Sequence, residues 1–434
     1  MRRAAEWAQP TGVSADPARS AAFDLITAAL ARKAGLDVAL EAGRFAGLSA
    51  QDRGFARALA MAALRHLGPI DRALAACLDR PPPEPVRMIL RLGAAQLYYL
   101  DTPTYAAVDS SVALAEADKA TRGFKALVNA VLRRLSRAGA PPDDPAALAP
   151  PWLYARWRAA YGEADAAAIA TAIAVEPATD VTPRDPADAA ALARELEAEP
   201  LQSGSLRRAA RGRVEDWPGF AEGRWWVQDA AAAIPARLLD AKAGEAVLDL
   251  CAAPGGKALQ LAAAGATVTA VDRSAARLRR LEDGLARTGL AAEIVAADAE
   301  SWADARTFDA VLLDAPCTSS GTFRRNPDVL WTLGPRDIAK LAEVQSRLLD
   351  AAAARVKPGG RLVYCVCSLE PEEGEAHART FLKRHPDFAT APADPAAIGA
   401  PAVSLMPEGW LRLLPHHLQG GMDGFFVAQL VRGA

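Results

Sequence analysis

The stretch that most constrains the fold is residues 247–257, which read Val-Leu-Asp-Leu-Cys-Ala-Ala-Pro-Gly-Gly-Lys. The short apolar run predicts a parallel strand buried on both faces, and the glycine pair predicts a turn that opens a helix. Gly255 and Gly256 let the backbone approach a ligand closely, and the unpaired N–H groups of a helix start favour an anionic group. The stretch therefore predicts a loop that binds a nucleotide cofactor.

Two common nucleotide-binding loops do not match this stretch. A dinucleotide fingerprint requires G-x-G-x-x-G, whereas only the adjacent Gly255 and Gly256 are present. A phosphate-binding P-loop requires glycine where Cys251 stands, and serine or threonine where Ala258 stands. Hydrolysis of a nucleoside triphosphate is therefore not expected.

Acidic residues follow the next two predicted strands. Residues 266–271 end in Asp272, which is placed to hold ribose hydroxyls, and residues 292–297 end in Asp298, which could accept a hydrogen bond from an adenine amino group. Each aspartate could instead only cap the helix that follows it. Together with the glycine turn, they favour an adenosine cofactor lying across the sheet edge.

Length and composition bound the class of protein. A chain of 434 residues is long enough for two or three domains. The net charge is −2, so a nucleic-acid surface must be a local patch. Five scattered cysteines favour a reducing compartment, and no uninterrupted apolar run reaches the ~18 residues of a membrane span. We therefore expect a cytoplasmic protein without a membrane partner.

Three regions follow along the chain. Residues 1–139 have helical periodicity throughout and predict an all-α bundle. Residues 140–223 begin as a linker and continue as a small α+β subdomain, and residues 224–434 alternate strands with helices, which predicts an α/β domain with a doubly wound, mostly parallel Rossmann-like sheet. Two basic clusters are either solvated faces or nucleic-acid contacts: Lys125, Arg133, Arg134 and Arg137 in the bundle, and Arg207, Arg208, Arg211 and Arg213 in the subdomain.

Cysteines follow the fourth and fifth strands of that sheet. Residues 308–313 lead to Asp314 and Cys317, and residues 360–364 lead to Cys365 and Cys367. Parallel neighbours present their carboxyl ends at the same edge, so these groups should meet beside the cofactor. Any single cysteine could be only a small buried apolar residue. The spacing does not suit zinc, and no metal is expected.

A thiolate beside a methyl-donor pocket suits methylation of cytosine at carbon 5. Thiolate addition at carbon 6 breaks the aromaticity of the ring and makes carbon 5 nucleophilic. A hydrogen-bond donor at ring nitrogen 3 would stabilise the adduct, a role for Asp314 if it holds or shares a proton. Because free thiols have a pKa of ~8.5, the nucleophile needs activation by its surroundings.

The α/β domain contains six motif stretches: residues 247–257, 314–317, 324–328, 367–368, 371–373 and 423–426. With these motifs it resembles the RsmB (Sun/Nop) family of S-adenosyl-methionine-dependent RNA cytosine-5 methyltransferases. Residues 91–97 and 124–133 of the bundle resemble NusB-type RNA-binding domains. The resemblance implies a methyltransferase sheet preceded by a NusB-like bundle, and a monomer that binds 16S ribosomal RNA, free or in an early small-subunit particle.

The resemblance also implies roles for individual residues. Cys367 matches the catalytic nucleophile, Cys317 matches a second cysteine that assists product release, and Asp314 matches a residue that faces both the base and the cofactor. Arg324 and Arg325 match a basic loop beside the substrate, although they could be only surface charge. The positions matching cofactor contacts are Cys251, Ala252, Ala253, Pro254, Gly255, Gly256, Lys257, Asp272, Asp298 and Asp314.

One departure from the family pattern lies beside the nucleophile. The family usually has threonine where Val366 stands, and Cys365 adds a thiol. Cys367 remains the expected nucleophile because it keeps the step to Ser368, and Cys365 is the alternative. Two other functions stay open: a DNA cytosine methyltransferase that uses Cys317, and a non-catalytic RNA-binding assembly factor.

Overall fold

The computed structural model describes residues 16–31, 36–40, 43–209 and 212–434, apart from the side chains of residues 37 and 38. Arg211 of the predicted basic cluster lies outside these residues. The chain divides into two compact units. The first comprises Met1–Val175 and Asn326–Thr332, and the second comprises Glu176–Arg325 and Leu333–Ala434.

The described part of the first unit is helical, as its periodicity predicts. Asp16 caps α1 by accepting hydrogen bonds from the backbone N–H groups of Ala18 and Arg19. The helices are α1 (Pro17–Leu30), α2 (Leu36–Leu40), α3 (Gly43–Ala46), α4 (Ala50–Arg65), α5 (Leu67–Ala75), α6 (Glu84–Tyr99), α7 (Thr104–Ala117), α8 (Lys125–Ala138), α9 (Pro145–Leu148), α10 (Pro151–Ala174) and α15 (Val329–Thr332).

The two NusB-like stretches meet where α6 crosses α8. A side chain at Gly93 would place its Cβ 2.6 Å from Cδ1 of Leu132, so any larger residue there would have to displace the Leu132 side chain. The opposite face of α8 is basic, because Lys125, Arg133, Arg134 and Arg137 are all exposed. The predicted linker also differs from expectation: α9 forms within it, and Ala147 and Leu148 are buried.

The second unit opens with a small antiparallel sheet in the order β2-β3-β1-β4. Its strands are β1 (Thr179–Pro183), β2 (Glu199–Pro200), β3 (Leu206–Arg208) and β4 (Trp225–Val227), and α11 spans Ala189–Glu195. Arg207, which could have contacted phosphate, is not exposed in the structure. Its guanidinium is buried and binds both carboxylate oxygens of Asp180, at 2.7 and 2.8 Å, because β1 and β3 are paired there.

The larger sheet has eight strands in the described residues, ordered β10-β12-β9-β8-β5-β6-β7, with β11 paired to β12. The strands are β5 (Ala246–Leu250), β6 (Thr267–Asp272), β7 (Glu293–Ala296), β8 (Phe308–Asp314), β9 (Val356–Val366), β10 (Phe388–Thr390), β11 (Leu411–Leu413) and β12 (Phe425–Arg432). The helices are α12 (Ala230–Leu239), α13 (Gly256–Ala263), α14 (Ala275–Thr288), α16 (Pro335–Ala353), α17 (Glu375–Arg384) and α18 (Pro395–Ile398).

The sheet is doubly wound, as predicted. Strands β5 to β9 are parallel neighbours, whereas β10, β11 and β12 run antiparallel at one edge. Successive residues of β5 face opposite sides: Val247 packs with α12 to α14, and Leu248 packs with α16 and α17. Among the described residues, no helix has the length and apolarity needed to cross a bilayer.

Candidate active site

The loop after β5 has the unusual backbone that its sequence predicts. Cys251 has a φ of 61° and Gly255 a φ of 116°, and α13 begins directly afterwards at Gly256. A Cβ at Gly255 would lie 2.5 Å from Cδ1 of Leu281 on α14. Glycine is therefore required at position 255 both for its left-handed backbone and for its fit against α14.

Asp272 lies at the tip of β6 and holds this loop in place. Its carboxylate accepts hydrogen bonds from the backbone N–H of Ala253 at 3.2 Å and of Ser274 at 2.8 Å. Arg277 donates to the carbonyl of Ala253 and lies 3.6 Å from the Asp272 carboxylate. Asp298 follows β7, is exposed, and accepts a hydrogen bond from the N–H of Glu300 at 3.0 Å. Both aspartates thus support local turns at the expected sheet edge.

Asp249 is an acidic group to which the sequence analysis gave no role. It lies within β5, its carboxylate is fully buried, and neither oxygen has a hydrogen-bond donor among the described residues. Burial, together with the neighbouring charge of Asp314, raises the pKa of Asp249 to about 8. Asp249 lies in an apolar strand whose other residues belong to the core. The only sign in the sequence of a different role was its charged side chain.

Asp314 ends β8 and connects the cofactor loop to the cysteines. The ammonium of Lys257 donates to Oδ2 of Asp314 at 2.7 Å, and the thiol of Cys365 lies 3.5 Å from Oδ1. The second contact follows from strand register, because Asp314 pairs with Cys365 across β8 and β9. Burial is the largest single influence on Lys257 and would lower its pKa, but the charge and hydrogen bond of Asp314, together with Cys365 and Cys367, outweigh burial and raise the pKa. Asp314 therefore faces a cationic donor.

Cys317 and Cys367 lie side by side on the loops after β8 and β9. Their sulfur atoms are 3.4 Å apart, and the hydroxyl oxygen of Ser319 is 3.7 Å from the sulfur of Cys367. The hydrogen bond between the thiols lowers the pKa of Cys367, and the same bond, together with burial, raises the pKa of Cys317. Cys367 is thus the better thiolate and Cys317 the proton donor of the pair. Cys365 is fully buried, and burial raises its pKa.

The predicted basic loop is divided between two environments. Arg324 is buried and donates to the carbonyl of Gly420 at 2.7 Å, so it stabilises the fold rather than forming an exposed basic surface. Arg325 is partly exposed and pairs with Asp423, whose carboxylate is fully buried. Asp423 belongs to a stretch that was identified only by resemblance, and nothing in the sequence paired it with Arg325.

Glu373 is the other residue whose role the sequence did not reveal. Its buried carboxylate accepts hydrogen bonds from Thr318 and Ser368, which directly follow the two cysteines. The Pro-Glu-Glu stretch that contains Glu373 indicated the family, but it gave no role to Glu373 itself.

Comparison with known proteins agrees with this arrangement. Residues 236–431 match the family model for the 16S rRNA methyltransferase RsmB/F, and residues 16–137 match the NusB family. Ribosomal RNA small subunit methyltransferase B of Pseudomonas putida is 36% identical, with 95% of this chain and 98% of that protein covered. The protein of the same name from Thermus thermophilus is 38% identical, with 88% of this chain and 89% of that protein covered.

The fold has a close counterpart among solved structures. The crystal structure of the protein PH0851 superimposes with a TM-score of 0.77 and 26% identity, covering 96% of this chain and 99% of that one. Three observations indicate the same family: the sequence similarity over the full length, the two family matches and the paired cysteines at the sheet edge. The chain belongs to the RsmB/F family of 16S rRNA methyltransferases, with a NusB-family domain at its front.

Proposed function

We propose that this protein methylates carbon 5 of a cytosine in 16S ribosomal RNA, using S-adenosyl-methionine and a covalent adduct to Cys367. The observation that carries the proposal is the pair of thiols 3.4 Å apart, of which Cys367 has the lowered pKa. An enzyme that adds to a pyrimidine needs one thiolate and one proton carrier, and this pair supplies both.

The residues at the sheet edge suit S-adenosyl-methionine, which supplies an electrophilic methyl group on a cationic sulfur. Asp314 and Asp272 place carboxylates at this edge, each beside a cation, Lys257 and Arg277 respectively. Asp272 and Asp298 would hold the nucleoside, and the loop from Cys251 to Lys257 would hold the amino-acid part. The glycines of that loop let the backbone come close to the cofactor.

The steps assigned to the chain begin at Cys367. Its thiolate would add to carbon 6 of the cytosine, and carbon 5 would then take the methyl group, whose bond to the cofactor sulfur breaks to leave S-adenosyl-homocysteine. Asp314 would hydrogen-bond ring nitrogen 3 through a proton shared with Lys257, and the positive charge of Lys257 would balance the negative charge that develops on the ring. A general base would then take the carbon-5 proton, and the electrons of that C–H bond would restore the double bond between carbons 5 and 6 and expel the Cys367 sulfur as a thiolate. Cys317 assists this release.

We further propose that the exposed basic face of α8, formed by Lys125, Arg133, Arg134 and Arg137, contributes contacts to RNA phosphates. The target cytosine must be unstacked to meet the thiol, which favours a loop or flexible junction of the RNA. Residues 1–139, 140–223 and 224–434 would act as RNA-binding, connecting and catalytic regions of a monomeric cytoplasmic enzyme. The substrate would be 16S RNA, free or in an early small-subunit particle.

The experiment that tests the proposal is methyl transfer from labelled S-adenosyl-methionine to 16S RNA taken from cells that lack this gene. The RNA is digested to nucleosides, and wild type is compared with Cys367→Ala and Cys317→Ala. We expect label in 5-methylcytidine, none with Cys367→Ala, and a denaturation-resistant RNA–protein adduct with Cys317→Ala. Activity that depends on Cys317 but survives Cys367→Ala would indicate that Cys317 is the nucleophile, as in a DNA cytosine methyltransferase. No label on free RNA or isolated subunits would favour a non-catalytic binding factor.

A further inference from the structure

The carboxylate of Glu373 is fully buried behind the two cysteines and accepts four hydrogen bonds. Oε1 accepts from the backbone N–H of Thr318 and from the side-chain amide of Gln345, both at 2.9 Å. Oε2 accepts from the hydroxyls of Thr318 and Ser368, both at 2.5 Å. These donors come from three separate segments: the loop after β8, helix α16 and the loop after β9.

The donors are placed next to the reacting groups. Thr318 directly follows Cys317, and Ser368 directly follows Cys367. Gln345 also donates to the carbonyl of Pro316 at 2.9 Å, so it holds the chain on the other side of Cys317. The carbonyl of Glu373 itself accepts from the hydroxyl of Tyr364 at 2.5 Å. The side chain of Glu373 therefore connects the two cysteine loops to each other, and its backbone carbonyl connects them to β9.

The charge of Glu373 also favours one arrangement of the thiol proton. Besides the bond to Cys367 and burial, the negative charge of Glu373 raises the pKa of Cys317. On the other side of the pair, Lys257 favours a thiolate at Cys367, whereas Asp314 opposes it. The titratable and charged groups facing the two thiols are Asp314, Lys257, Arg325, Tyr364, Cys365 and Glu373.

We propose that Glu373 is a positioning residue that fixes the two cysteine loops against each other and keeps the shared proton on Cys317, leaving Cys367 as the nucleophile. Its relevance to catalysis rests on the function proposed above. Without Glu373, Thr318 and Ser368 lose their common acceptor and the sulfur atoms lose their fixed spacing. A displacement of this kind costs catalysis about a hundredfold for a shift of about 1 Å.

The test separates the reach of the side chain from its charge. Glu373→Gln keeps the reach and removes the charge, Glu373→Asp keeps the charge and shortens the reach, and Glu372→Gln changes an exposed neighbour as a control. Iodoacetamide labelling of the full-length protein, resolved by peptide mass spectrometry across a pH series, gives the alkylation rates of Cys317 and Cys367. This measurement needs no RNA, so it reports on Glu373 even if wild type transfers no methyl group.

For Glu373→Gln we expect the ratio of Cys367 to Cys317 labelling near neutral pH to fall about tenfold, which corresponds to a change of about one unit in their pKa difference. Methyl transfer should fall about a hundredfold. Glu373→Asp should lose turnover but keep the labelling ratio, and Glu372→Gln should match wild type. A wild-type ratio in Glu373→Gln overturns the proposal, whether or not turnover is lost, because loosened packing would then be sufficient. If Glu373→Gln does not fold, Ser368→Ala tests the positioning role: it keeps the charge of Glu373 and removes one of its donors, so turnover should fall while the labelling ratio is kept. Turnover equal to that of wild type in Ser368→Ala would then overturn the proposal.

Discussion

The buried carboxylate of Asp423 is held by the guanidinium of Arg325, whose Nε lies 3.0 Å from Oδ2. Burial raises the pKa of Asp423 to about 6, although the charge of Arg325 acts in the opposite direction. Asp423 precedes β12, and Arg325 follows the Cys317 loop. The pair therefore connects the antiparallel edge of the sheet to the surroundings of the thiols.

Replacing Arg325 by methionine should destabilise the protein in a pH-dependent way. At pH 5 Asp423 can be protonated with or without its partner, so the loss should be small. Above pH 6 the wild-type carboxylate is ionised and paired, whereas in the variant it would be ionised and unpaired. Because Arg325 is partly exposed and solvent screens it, we expect a loss of about 1–3 kcal/mol at pH 8. Urea unfolding at both pH values measures it. An equal loss of stability at both pH values would contradict the explanation by an unpaired carboxylate. Adding Asp423→Asn to the Arg325 variant should restore stability at pH 8.

Asp249→Asn should stabilise the protein relative to wild type, and increasingly so at higher pH. The folded state keeps the proton of Asp249 up to about pH 8, whereas the unfolded chain releases it near the ordinary value of 3.8. Wild type therefore loses stability between these two pH values, and the variant does not. The difference in unfolding free energy should grow from pH 5 to pH 8 and then level off. Denaturant titrations of both proteins across this range test it, and a difference that is constant with pH would show that Asp249 is ionised in the folded state.

Gly255→Ala should weaken both the fold and cofactor binding. The new Cβ would meet Leu281, and alanine would be strained at a φ of 116°. We expect a loss of about 1–3 kcal/mol in stability, and reduced affinity for S-adenosyl-methionine by calorimetry. Gly289→Ala is the matched control, because its φ is 66° but no atom lies within 4 Å of the added Cβ. If both variants bind the cofactor equally well, the fit against α14 is not what shapes the loop.

Cys365→Ala should leave the nucleophile intact. The Cys365 thiol is fully buried against Asp314, and Lys257 would still pair with that carboxylate. We expect a loss of about 1 kcal/mol from the small cavity, with adduct formation retained in a Cys317→Ala background. Loss of the adduct would instead identify Cys365 as the attacking thiol.

The sequence predicted the parallel part of the sheet and its functional edge well. Buried strands are short apolar runs, and parallel strands present their ends together, so Asp314, Cys317 and Cys367 could be brought together without coordinates. Strand ends were less accurate: β9 begins at Val356, four residues before the predicted start at Gly360. The antiparallel strands at the edge were not predicted, because their pairing joins segments far apart in the chain.

The sequence did not predict which residues of different loops pair with each other. Glu373, Arg325 and Asp423 were visible as charged residues, but only the folded loops show which donor meets which acceptor. Arg207 and Arg324 were expected to be exposed or to bind nucleic acid, because a cluster of arginines gives no sign of a buried partner. In the structure Asp180 and the carbonyl of Gly420 provide those partners.

The contact between Gly321 and Gly424 bears on when the enzyme becomes competent during its own synthesis. These two backbones touch directly: Gly424 donates to the carbonyl of Gly321 at 2.8 Å, and a Cβ on Gly321 would lie 2.1 Å from the Gly424 oxygen. Cys317 and Cys367 precede Gly424 and β12 in the chain, so they are synthesised before the segment that pairs with β9 beside them. We therefore expect the thiols of the nascent chain to be incompletely supported until that segment docks, and methyl transfer to require a chain elongated past Phe425.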